Sequence, residues 1–222
     1  MELISDDPLD DQDEADEEGD AEDKERDAFI QKMEDQVKEF DRHWRLFGIT
    51  PMRCSAHLIQ LPFMKILRDE TLVFRDLLVK VRNMVKKYSK SVNAKMELDN
   101  LVHMMVVTHC PTRWWSDIDM MARVKKIYQE DPSALNKVID LCQWDEELKL
   151  EKKDWALIDK FLALFKPIKL MSDQLSGEKY SSIHMVLPTI KDIKEHIEAF
   201  KTDKLIGKTV KVLLKEFENY FR

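Results

Sequence analysis

Apolar residues return at intervals of three and four along most of this sequence, and that spacing commits the chain to helices. Phe74, Leu77, Leu78, Val81, Met84, Val85 and Tyr88 fall on one side of a 3.6-residue turn, with Arg75, Lys80, Lys86 and Lys87 outside it. Phe29, Met33, Val37, Phe40 and Trp44 predict an earlier helix ending near Phe47-Gly48. Met96, Leu98, Leu101, Met104 and Met105 continue the pattern more weakly, and Met120, Met121, Val124 and Ile127 resume it. Trp155, Ile158, Leu162, Phe165 and Ile168 predict a long helix closing before Ser176-Gly177. Ile183, Val186, Leu187, Ile190, Ile193, Ile197 and Phe200 form the next face. Leu205, Val210, Leu213, Leu214, Phe217 and Phe221 form the last, with Lys204, Lys208, Lys211 and Lys215 opposite. Only 4 Gly and 7 Pro in 222 residues leave few turns for a sheet. The expected fold is mostly α, a helical bundle or array.

Breakers and caps divide the pattern. Pro51 favours an extended approach, so Arg53 to Leu61 reads as a short extended piece entering a helix that Pro62 should bend or end. Asp69 and Thr112 stand where helix caps are needed, and Asp131-Pro132-Ser133 is a stronger start signal for a short helix to about Cys142. Ser181 or Ser182 should open the following helix and Pro188 should kink it. Phe217, Tyr220, Phe221 and Arg222 end on an apolar face, which is expected to be exposed and open to a partner.

Charge is distributed unevenly. Residues 1–27 carry 15 Asp/Glu against 2 Lys/Arg, a balance of −13; the other 195 carry 34 Lys/Arg and 28 Asp/Glu, a balance of +6. Like charges without apolar residues cannot offset the entropy of ordering, so the acidic leader is expected to be disordered. It reads as a solubilising spacer, or as bait for basic partners. No apolar run reaches about 18 residues, so no membrane span is expected. The start has no basic-then-apolar leader, and Cys54, Cys110 and Cys142 are too few and scattered for a disulfide framework. An intracellular protein is the expectation.

Chemistry is sparse. Cys54-x-x-His57 is the one compact Cys/His pair, and zinc needs about four ligands, so no metal site is expected. On a helix Cys54, His57 and Leu61 share a face, which makes His57 a partly buried hydrogen-bonding residue. His109 and Cys110 are neighbours rather than a positioned base and nucleophile. Glycines at 19, 48, 177 and 207 build no phosphate loop. No catalytic residue is assigned. Two basic stripes are candidates for nucleic-acid contact: Arg75, Lys80, Arg82, Lys86 and Lys87 on one helix, and Lys208, Lys211 and Lys215 on the last. Each also reads as an ordinary solvated face. Trp114 and Trp115 could stack on bases or anchor packing.

Two segments together carry a resemblance. Arg53-Cys54-Ser55-Ala56-His57-Leu58-Ile59-Gln60-Leu61 is similar to the Cys-x-x-His-x-Leu-Asn/Gln-Leu motif of hAT-type transposases and their relatives with BED zinc fingers. Thr112-Arg113-Trp114-Trp115-Ser116 resembles that family's Thr-Arg-Trp-Asn-Ser segment, with Trp115 in place of the usual Asn. Leu164 to Ile168, Leu175 to Ile183 and Val186-Leu187-Pro188 resemble later stretches in the same order.

The resemblance implies an RNase H-like nuclease interrupted by an all-helical insertion, and a nuclear location. It divides the chain into a leader (1–27), a helical lead-in (28–48), a nuclease-core remnant passing into helices (49–110) and a truncated insertion domain (111–222). In the family two metal-binding aspartates precede the Cys-x-x-His motif and a glutamate follows the insertion; no residue here matches those positions. Divalent metal and zinc are therefore expected only in full-length relatives. Arg53, Cys54 and His57 are candidate remnant-site residues, and Thr112, Arg113, Trp114 and Ser116 match motif positions. Three readings follow: a catalytically incomplete transposase-derived fragment with residual nucleic-acid or protein binding, a segment of a longer active transposase, and a helical protein-interaction module with an acidic tail.

Overall fold

The computed structural model describes residues 55–69, 71–110, 113, 115–176 and 183–221, with eight separate positions between 28 and 42. The chain forms two compact units, 1–51 and 52–222. In the first, the eight described positions are helical and exposed, as the outer face of a lead-in helix should be. Its predicted apolar stripe and the acidic leader lie outside the described residues.

The described residues of the second unit form eight α-helices and contain no strand. They are α1 (Ser55–Arg68), α2 (Val73–Lys90), α3 (Val92–Val102), α4 (Ser116–Glu130), α5 (Ala134–Leu141), α6 (Lys152–Leu175), α7 (Val186–Glu198) and α8 (Gly207–Tyr220). The expected mostly-α class is what the chain adopts. The 24-residue α6 is the spine, packing against α1, α2, α4 and α7. α8 lies along α1 and α7, while α3 joins α5 and α2. The boundary at 110/111 falls inside this one unit.

Local chemistry explains most elements. All seven apolar residues read for α2 are buried. Asp154 closes the start of α6 by accepting from the Glu151 amide at 3.0 Å, half of a reciprocal capping box. At α5 the Asp131 carboxylate accepts from the Ser133 amide at 2.8 Å and hydroxyl at 2.6 Å. The Ser133 hydroxyl first, then its amide and Lys137, hold the Asp131 carboxyl down at about 2. Phe63, Phe74, Phe161, Phe165 and Phe217 form a tilted and edge-on ring cluster where α1, α2, α6 and α8 meet.

Several expectations are corrected. Residues from Ser55 onward are helix rather than an extended piece, and α1 runs through Pro62 to Arg68. Every described side chain from Ile59 to Leu67 except Lys65 is buried, so packing on all sides offsets the roughly 3 kcal/mol a helix-interior proline costs. Asp69 does not cap α2; its carboxylate closes a turn with the Thr71 amide (2.9 Å) and hydroxyl (2.7 Å), and Leu72 occupies the cap position. In α3 the buried face is Ala94, Leu98 and Val102, while Met96 and Leu101 face water and Met104 and Met105 lie past its end. Trp115, not Thr112, occupies the cap position of α4. Pro188 makes no kink because α7 begins at Val186, and a first-turn proline lacks only an amide hydrogen that would have no partner. Leu187 and Leu205 are exposed; Thr189 and Ile206 take up the burial instead. Ser181 and Ser182 lie outside the described residues.

The last apolar face is covered, contrary to expectation. Val210, Leu213, Leu214 and Phe217 are buried, and Phe221 is half-buried against Phe217. α1 is the main cover, because its all-round apolar surface needs α8 as much as α8 needs it.

Candidate functional site

The described residues just before α4 gather around one serine. The Arg113 amide donates to the Cys110 carbonyl (3.0 Å) and the Ser116 amide to the Arg113 carbonyl (3.1 Å). The Ser116 hydroxyl donates to the Cys110 carbonyl at 2.9 Å and accepts from the Cys110 amide at 3.1 Å. Its single proton is therefore used. His109 Nδ1, 3.1 Å from that oxygen, must be the donor in that contact. The same Nδ1 lies 3.1 Å from the Asp117 carboxylate, which also accepts. His109 is thus held with its proton on Nδ1.

Asp117 anchors the segment to α2. Its two oxygens receive Arg82 Nε at 3.0 Å and Nη2 at 2.9 Å, a two-pronged pairing. The Asp117 side chain is 2% exposed. Burial is the largest single influence on it and opposes ionisation, yet Arg82 and His109 together outweigh burial and hold the carboxyl below its usual range. This Ser-His-Asp grouping cannot activate a nucleophile. Both partners meet the same ring nitrogen, and the serine proton is held by a carbonyl.

The sequence-read candidates separate clearly. Arg53, Cys54, Thr112 and Trp114 lie outside the described residues, and His57 is described only as part of α1. Arg113 is exposed, and Ser116 is buried in the network. Trp115 packs near Phe63 at 5.9 Å between ring centroids, so it is an anchor rather than an open stacking platform. Among the described residues no three His, Cys, Asp or Glu are grouped to hold a metal ion.

The basic candidates divide in the same way. On α2, Lys80 bonds Asp154 at 2.8 Å, Arg82 is committed to Asp117, and Lys87 lies 3.6 Å from Asp145. The Lys86 ammonium nitrogen is buried, and Arg75 is half-buried. That stripe mostly joins α2 to its neighbours. On α8, Lys208, Lys211 and Lys215 are exposed and form no close ion pair among the described residues, although the Lys208 charge is felt by the Asp69 carboxylate. Lys201 and Lys204, in the turn that leads into α8, are exposed as well.

Asp117 and His109 were not singled out as a site from the sequence. The available signal was weak: an acid in the first turn of a helix and a histidine seven residues before Ser116. No protein family, curated protein or solved structure matches the chain.

Proposed function

We propose that this chain is a catalytically incomplete helical module derived from an hAT-type transposase, which contacts nucleic acid through the outer face of α8. Its derivation rests on the order and spacing of the Cys54-x-x-His57 and Thr112-Arg113-Trp114 segments and the stretches from Leu164 to Pro188. A nuclear location belongs to the same proposal. The observation that carries the binding role is the exposure of Lys208, Lys211 and Lys215, with Lys211 and Lys215 in no ion pair among the described residues and Lys208 acting on Asp69 only at longer range. Phosphates attract such a stripe and release counterions when they meet it.

Electrophoretic shift of a labelled DNA duplex across a salt series tests this, with magnesium or manganese added in parallel. The expected result is a shift that weakens with salt and leaves the strands intact. No shift at low salt removes the nucleic-acid role. Metal-dependent strand cleavage, lost on replacing a carboxylate of this chain, removes the non-catalytic one.

A further inference from the structure

We infer that α8 grips the phosphate backbone of duplex DNA without reading its sequence, an inference that rests on the binding role proposed above. Lys208, Lys211 and Lys215 are spaced by three and four residues, so they stand within about 60° of one another around the helix. They span about 10 Å along it, the axial rise of about three phosphates on one strand. Lys204, in the turn before α8, is exposed as well.

The stripe stays positive because two of the nearby acids are engaged by other lysines, and Asp69, which feels Lys208, is also bonded to Thr71. Glu216 is bonded to Lys65 at 2.8 Å and Glu218 to Lys194 at 2.7 Å. An ordinary solvated helix alternates its signs, as α7 does with Lys191 and Glu195, four residues apart and 3.6 Å between charged atoms. α8 places Lys211 and Lys215 at that same spacing, where like charges repel. An anionic ligand would relieve this repulsion.

What surrounds the lysines decides how the ligand is read. Base edges are read by forked arginine, asparagine or glutamine side chains; α8 has no arginine, and its one exposed amide, Asn219, stands a full turn beyond Lys215 at the end of the helix. Single strands are gripped by aromatic platforms, and no described aromatic residue is exposed. Lysine ammonium groups are point charges, suited to phosphate oxygens and indifferent to base identity.

The test uses the full chain and its Lys208→Gln/Lys211→Gln/Lys215→Gln variant. Probes are two duplexes of unrelated sequence and one single strand of equal length, titrated between 50 and 200 mM salt. Both duplexes should bind within about twofold of each other and more tightly than the single strand. Three phosphate contacts should weaken wild-type binding about 40-fold across that range, and the variant should lose that part of the dependence. A strong preference between the duplexes, tighter binding of the single strand, or an unchanged salt slope in the variant overturns the inference. A wild-type chain that binds none of the probes instead removes the underlying binding role. The three lysines are exposed, so an unchanged circular dichroism spectrum should accompany the variant.

Discussion

At the scale of single residues, the decisive contact is the one between Arg82 and Asp117. Thirty-five positions separate them, and neither has a local reason to be buried. Their pairing fixes the start of α4 against α2, and through His109 and Ser116 it holds the chain at His109 and Cys110. Replacing Arg82 by Met leaves a buried carboxylate without its cation. The expected loss is about 3–5 kcal/mol in urea unfolding, with much of it recovered in an Arg82→Met/Asp117→Leu double variant. Equal losses in the single and double variants would show that the pair is not the source. Asp117 was legible only as a first-turn acid, and Lys80 and Arg82 only as members of a basic stripe. Periodicity reports which face of a helix a residue occupies, not which distant residue meets it.

At the scale of elements, α8 is set by its first residue. Gly207 lies where an added Cβ would come 2.9 Å from the Lys201 carbonyl oxygen, a backbone atom that cannot swing aside. Gly207→Ala should therefore cost about 1–3 kcal/mol by forcing the 201–206 turn away from the helix start. The check is the shift in thermal midpoint beside Lys208→Ala, which changes an exposed side chain on the same helix and should leave the midpoint nearly unmoved. Helices α2, α5, α6 and α8 were legible because each has one apolar face whose spacing announces it. α1 was misread because its sides are nearly all buried, so no polar face marks its period and Pro62 looked like a break.

At the scale of the whole molecule, acid tests the carboxylates together. Asp117 is held down against its burial by Arg82 and His109, Asp69 by the Thr71 hydroxyl, and Asp203 by Lys160. Asp131 is held down mainly by Ser133. A folded-state pKa below the unfolded one adds stability that is complete above the unfolded value, near 4, and is lost as pH falls through the folded value. Asp173, raised by burial, acts in the opposite direction. Urea midpoints should therefore hold between about pH 7 and 5 and decline from about pH 4 downward. Asp117→Asn should flatten that decline, and an equally steep decline in the variant would place the acid sensitivity elsewhere. Sequence alone determined that this chain is helical, which faces of most helices are apolar, and that the α8 lysines point to water. Each of those follows from side-chain spacing within one element. Tertiary structure decided that α1 is enclosed, that α8 lends it its apolar face, and that most of the α2 cations serve as internal ties. Those outcomes depend on residues dozens of positions apart being brought within about 3 Å, and no local pattern encodes that meeting.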